Sequence, residues 1–188
     1  MSQKKGDNMI LLGVDQSLSG TGCCIYSDPP RFSIFATSKD PDEERSIDYT
    51  FRLMEIRDEI RDLCKTSGVN WAAMEGISFG SHGRIAELGA LAYMIREMFI
   101  KEAINFMVVP PTVVKQYWTG KGNAGKDMMI ARAVQMNLDI PSKKYKGGVI
   151  LPDDNCVDAY ALTCFLRDYV QKINGIDKFR NKIEVYEP

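Results

Sequence analysis

Residues 11–26, LLGVDQSLSGTGCCIY, decide how the rest of the chain is read. The apolar run from Met9 to Val14 stops at Asp15 and a Ser/Gly-rich turn, the pattern of a central strand buried on both faces. Residues 22–26 (GCCIY) give a second short strand and residues 32–36 (FSIFA) a third. Between these two lies Ser27-Asp28-Pro29-Pro30, a turn signal. Three strands joined by short turns predict an antiparallel meander with Asp15 at the end of its first strand.

Beyond the meander the period changes. Pro41 opens a helix with Ile47, Phe51, Met54, Ile56, Ile60 and Leu63 as its apolar positions, and Gly68 stops it. Trp71 to Met74 predicts a fourth strand ending at Glu75, a helix follows from about Arg84 to Glu102, and Phe106 to Val109 predicts a fifth strand closed by Pro110-Pro111. Further helices are expected over Thr112–Trp118, Gly125–Met136 and Asn155–Ile173, with a loose tail behind them. Strands alternating with helices after a meander call for a mixed sheet covered by helices, an α/β fold. At 188 residues the chain has length for one such domain, with a core from about residue 9 to 173 and flexible ends.

The composition, 45% hydrophobic and 26% charged, is that of a globular protein, and no apolar run is long enough to span a bilayer. With no hydrophobic signal segment near its start, the chain is expected in the cytoplasm. Its five cysteines show no C-x-x-C spacing and sit in apolar stretches, which predicts buried reduced thiols. A single histidine, His82, excludes a histidine-based metal site. The net charge of −1 conceals an asymmetry: residues 112–150 hold seven basic residues against two acidic, whereas residues 39–65 hold nine acidic against six basic. A polyanion is steered to the later segment.

Three acids fall where elements end. Asp15 closes the first strand, Glu75 the fourth, and Asp158 lies one turn into the last helix. Singly, each has an ordinary explanation as a turn or cap residue. Together, carboxylates from neighbouring strand ends and a helix start can converge, and such hard oxygen donors suit Mg2+ or Mn2+. Lys115, Lys121 and Lys126 gather near that edge, while Tyr117 and Trp118 are expected in the core.

Four stretches carry a family resemblance: LLGVDQSLSGTGCCIY (11–26), WAAMEGISFG (71–80), VVPPTVVKQYWTGKGNAGKDMM (108–129) and DDNCVDAYALTCF (153–165). In order and spacing they resemble the RuvC-like Holliday junction resolvases of the RNase H and retroviral-integrase superfamily, including bacteriophage members, over about Ile10 to Leu166. The resemblance implies an RNase H-like fold: a five-stranded sheet, three antiparallel strands then two parallel, flanked by helices. It implies that Asp15, Glu75 and Asp158 are ligands of two Mg2+ or Mn2+ ions. Lys115 and Lys126 would contact phosphate or act in catalysis, Lys121 would join them in holding DNA, and Phe79 would stack at the opened junction centre. Where the family carries an acid or a histidine three residues before the final Asp, this chain has Asn155, with Asp154 beside it. Both share a helix face with Asp158, so Asn155 is the expected fourth ligand and Asp154 its rival.

The activity implied is metal-dependent, paired and symmetric cleavage of four-way DNA junctions, leaving 5′-phosphate and 3′-hydroxyl ends. Two symmetric cuts imply a homodimer, with the helix over Arg84–Glu102 as a contact surface. Other readings are a nuclease acting on flap, branched or RNA–DNA substrates, and a junction-binding module of weak catalysis. Asp15 and its Ser/Gly turn also resemble the phosphate loop of actin-like ATPases and sugar kinases. Those proteins need a second such domain, for which the chain has no length.

Overall fold

A computed structural model describes residues 9–37, 46–77, 85–173 and 175–188. The meander forms as read: β1 (Leu11–Asp15), β2 (Thr21–Ile25) and β3 (Arg31–Phe35) pair antiparallel in succession. Every position of β1 and β2 is buried, because helices cover both faces of the sheet; hence the lack of polar alternation in these stretches. Two crossovers follow, through α1 (Ser46–Ser67) to β4 (Trp71–Glu75) and through α2 (Ile85–Lys101) to β5 (Asn105–Val109). β4 lies parallel to β1, and β5 parallel to β4.

The remaining helices are α3 (Pro111–Thr119), α4 (Lys126–Gln135) and α5 (Asp154–Val170). Proline at its first position starts α3, and Gly120, at φ 82°, ends it in the left-handed conformation that glycine adopts without strain. Asp153 caps α5 by accepting from the backbone N–H of Asn155 (2.9 Å) and Cys156 (3.3 Å).

Two apolar layers sandwich the sheet. On one face Leu12, Val14, Ala72, Met74, Phe106 and Val108 meet α1 and α2; on the other Leu11, Ala73, Met107 and Val109 meet α3, α4 and α5. Within α1 the buried face is Leu53, Ile56, Ile60 and Cys64, while Phe51 and Met54, expected inside, are exposed. Spacings of three and four starting at Leu53 describe the face better than those starting at Phe51. All five cysteines are buried free thiols, as expected.

The sheet departs from expectation in having six strands rather than five: to the order β3-β2-β1-β4-β5 it adds one more beside β5. The extra strand, β8 (Glu184–Tyr186), belongs to the segment expected to be a loose tail and pairs antiparallel with β5. A 3₁₀ turn (Asp177–Lys182) buries Phe179 against Phe165 and leads into β8, whose Tyr186 ring meets Phe106 at 5.3 Å. A hairpin of β6 (Ser142–Lys144) and β7 (Ile150–Pro152), not foreseen from the sequence, precedes α5. No helix among the described residues is long and apolar enough to cross a membrane.

Candidate active site

Side chains along a strand alternate between faces. Leu11 belongs to the layer under α5, so Gly13 and Asp15 face the same way; Ala73 places Glu75 there by the same count. The parallel register pairs Val14 with Met74, and this sets Asp15 and Glu75 at adjacent strand ends. The third acid arrives on α5, which the strands allow unusually close. A Cβ on Gly13 would lie 2.1 Å from the Ala159 carbonyl oxygen, and one on Gly22 would lie 2.3 Å from that of Asn155. Two glycines thus let the helix backbone settle onto β1 and β2, where the Thr163 hydroxyl proton is shared between the Ala159 carbonyl of its own helix at 2.8 Å and the Cys24 carbonyl of β2 at 3.0 Å. Asp158, next to Ala159, is delivered beside the strand-end carboxylates.

The electrostatics record this convergence. Burial, and then the charges of Glu75, Asp158 and Asp154, push the Asp15 carboxyl well above the usual carboxylate range, with Lys126 acting against them. Glu75 is pushed up to about 7 by burial and by Asp158, opposed by Lys115. Asp158 is pushed up to about 6 by burial and by Asp154, opposed by Lys115 and Lys126. Asp158 Oδ1 is buried with no hydrogen-bond partner among the described residues. Crowded carboxylates with a buried lone pair left over make a donor set of the chemistry a hard divalent cation requires. As they stand, no group of three or more His, Cys, Asp or Glu side chains among the described residues is arranged to hold a metal ion.

The two rivals for a fourth ligand are separated by their partners. Asp154 is almost wholly buried and is held by Lys126, by Lys143 Nζ at 3.0 Å and by the Tyr145 hydroxyl at 3.0 Å. Burial acts to raise its pKa, but the two lysines outweigh it and hold the carboxyl well below its usual range. Asn155 instead turns its amide nitrogen to the Gly20 carbonyl, tying α5 to the turn after β1. Its amide oxygen is the atom that has lone pairs to offer a cation.

Of the lysines, Lys115 on α3 and Lys126 at the start of α4 act on the carboxylates. Lys121 sits exposed in the turn between those helices, its backbone N–H donating to Thr119 Oγ1 at 3.2 Å. Phe79 and His82 lie outside the described residues. Tyr117 and Trp118 serve the core: the Tyr117 hydroxyl donates to Asp168 at 2.7 Å and the Trp118 ring N–H to the Met129 carbonyl at 3.2 Å. Three participants escaped the sequence reading. Lys143 and Tyr145 come from the unforeseen hairpin, and buried Gln16 donates to the Glu75 carbonyl at 2.7 Å, linking the two strand ends. The signal for Gln16 was its place directly after Asp15.

A six-stranded mixed sheet with acids at adjacent strand ends under a final helix is an RNase H-like α/β architecture. Among solved structures, RuvC of Thermus thermophilus matches with a TM-score of 0.63 at 13% identity, over 95% of this chain and all of that one. T. thermophilus RuvC in complex with Holliday junction substrate gives a TM-score of 0.61 at 15% identity, over 90% of this chain and 98% of that one. The yeast mitochondrial Holliday junction resolvase Ydc2 gives 0.51 at 16% identity, over 92% and 84%. No protein-family model and no curated protein matches the sequence. At such identities the likeness is one of architecture, and the chain has the fold of the RuvC-like resolvases.

Proposed function

We propose that the chain is a metal-dependent, structure-selective DNA endonuclease that resolves four-way junctions by paired, symmetric phosphodiester hydrolysis, leaving 5′-phosphate and 3′-hydroxyl ends. The observation that carries the reading is the placement of Asp15, Glu75 and Asp158, three carboxylates whose pKa values desolvation and neighbouring acid charge raise, on the α5 face of a RuvC-like sheet. A structural neighbour of that fold has been solved with a Holliday junction substrate.

Asp15, Glu75 and Asp158 would hold two Mg2+ or Mn2+ ions, with the Asn155 oxygen completing the set and Asp154 left to the lysines. Bound there, such ions supply acidity to the attacking water and neutralise charge at the leaving oxygen. The protein's own groups do the rest. Gln16 ties the ends of β1 and β4 together through its bond to the Glu75 carbonyl. Lys115 and Lys126 place positive charge against that growing on the phosphate. Lys126 is 75% exposed although paired with Asp154, so an incoming phosphate can compete for its ammonium group. Symmetric cutting requires two sites, hence a homodimer, for which α2, with Tyr93 and Ile100 exposed, is the proposed contact surface.

Two observations favour a second reading, a junction-binding module with weak catalysis: the fourth position holds the uncharged Asn155, and among the described residues the acids are not arranged to hold an ion as they stand. Cleavage of a synthetic immobile four-way junction with Mg2+ separates the two, beside flap and RNA–DNA hybrid substrates and with Asp15→Asn and Glu75→Gln variants. Paired symmetric nicks, lost in both variants while junction binding persists, are expected. Binding without cleavage would support the second reading. Cleavage indifferent to both substitutions would overturn the proposed site.

A further inference from the structure

No step of the proposed reaction uses the β6–β7 hairpin, residues 142–152. Its sequence, SKKYKGGVILP, holds three lysines and no acid. A two-stranded ribbon of this length is marginal by itself. Here it is bolted to the first turn of α5. The Tyr145 hydroxyl accepts from the Asp154 backbone N–H at 3.0 Å and lies within donating distance of the Pro152 carbonyl, 2.9 Å, and of Asp154 Oδ1, 3.0 Å. Lys143 Nζ stands 3.0 Å from Asp154 Oδ1, and the Asp153 N–H donates to the Pro141 carbonyl at 2.7 Å. The tip turns sharply through Gly147 and Gly148, at φ 88° and 83°, positions where a side chain would be strained.

Alternation assigns two roles to the ribbon. Lys143 and Tyr145 point to α5 and form the latch, so Lys144 and its cross-strand partner Ile150 face away from it. Ile150 is 68% exposed, an unusual place for a large β-branched side chain, and Lys146 stands exposed at the turn. Exposed apolar surface framed by lysines, with no acid in the segment, complements a polyanion that also offers apolar sugar and base edges. A two-stranded ribbon is, moreover, of a width that fits a DNA groove.

We propose that this hairpin is a second DNA contact, in which Lys144 and Lys146 hold phosphates of one duplex arm and Ile150 packs on the same arm. The Tyr145–Asp154 latch fixes the distance between this contact and the carboxylate cluster. Asp154 therefore acts as a positioning residue, orienting the hairpin and Lys126 rather than binding a metal.

This rests on the junction-nuclease reading, and its test is binding of the full-length protein, in EDTA, to a four-way junction and to a plain duplex of the same arm sequence across a salt series. Two lost phosphate contacts, at about 0.9 each, lower the log–log salt slope of a Lys144→Ala/Lys146→Ala variant by about 1.8; this corresponds to some tens of fold weaker binding at ~0.1 M salt. Ile150→Ser weakens binding with the slope unchanged, since an apolar contact releases no counterion. Thermal unfolding of each variant controls for folding, and a Lys144→Gln/Lys146→Gln pair replaces the alanines if they unfold. A wild-type slope and affinity in the double variant overturns the hairpin contact. If wild-type protein binds duplex and junction alike while the variant slope still falls, the hairpin contact stands and the junction preference fails. A wild-type protein that binds neither DNA refutes both.

Discussion

Replacing Gly13 with alanine adds one carbon where the sheet and α5 approach most closely at a glycine. That carbon would lie 2.1 Å from the Ala159 carbonyl oxygen and 2.3 Å from Thr163 Oγ1, whereas real Cβ contacts essentially never fall below 3.0 Å. The obstructing atom is helix backbone, so α5 must retreat by about 0.9 Å. Overpacking of this kind costs about 1–3 kcal/mol. Stretching the Thr163–Cys24 bond adds about 1 kcal/mol. Alanine's smaller unfolded-state entropy offsets about 0.4–1 kcal/mol, and a net destabilisation of about 1–4 kcal/mol remains. Activity suffers more. Asp158 rides on the displaced backbone, and misplacement of a catalytic group by about 1 Å costs on the order of a hundredfold in rate. Urea unfolding followed by far-UV circular dichroism reads the first quantity, and junction cleavage at saturating Mg2+ reads the second. Gly76→Ala is the control: beside Glu75, its added carbon meets nothing closer than 3.6 Å, and it should change stability by no more than ~0.5 kcal/mol. Wild-type stability and cleavage within twofold in Gly13→Ala would refute the claim that this contact sets the position of Asp158.

With divalent ions removed, stability should fall as pH rises from about 4 to 7. Glu75 and Asp158 have folded pKa values raised to about 7 and about 6, so in this window the unfolded chain ionises while the folded chain holds its protons; the loss is of the order of a few kcal/mol. Asp154, held low by its lysines, adds stability that is lost only below about pH 4 and does not mask the fall. Melting curves in EDTA measure it: Glu75→Gln should flatten much of the decline, Mg2+ should raise the wild-type Tm at pH 8, and an EDTA profile flat or rising between pH 4 and 7 would contradict the assignment. Asp154→Asn should leave Mg2+ affinity by calorimetry within about threefold of wild type, whereas Asp158→Asn should abolish it; equal losses would return Asp154 to the ligand set. Asn155→Ala leaves the Gly20 carbonyl without its donor and should cost about 1–2 kcal/mol in urea unfolding, a cost absent if the turn after β1 is held by other groups.

The parts of the site that the sequence declared are those governed by local periodicity. A buried run that stops at Asp15, a second that stops at Glu75 and a capped helix bearing Asp158 each follow from a few neighbouring residues. Strand alternation then carries both strand acids to the face that α5 covers. What stayed hidden depends on residues far apart in the chain. The spacing of Asn155 and Asp154 from Asp158 does not rank them, because i−3 and i−4 lie on one helix face; what distinguishes them is that Asp154 meets Lys126, Lys143 and Tyr145, brought in from α4 and the hairpin. The hairpin itself and β8 are three-residue strands, too short for any period to show, and mostly exposed. Gly13 and Gly22 read locally as weak points in strands. Only the docked helix turns them into requirements, since their missing side chains leave the space that the Ala159 and Asn155 carbonyls occupy. The acids proposed as ligands were therefore visible as residues, while their mutual position depends on two absent side chains and on one carboxylate, Asp154, that pairs with lysines.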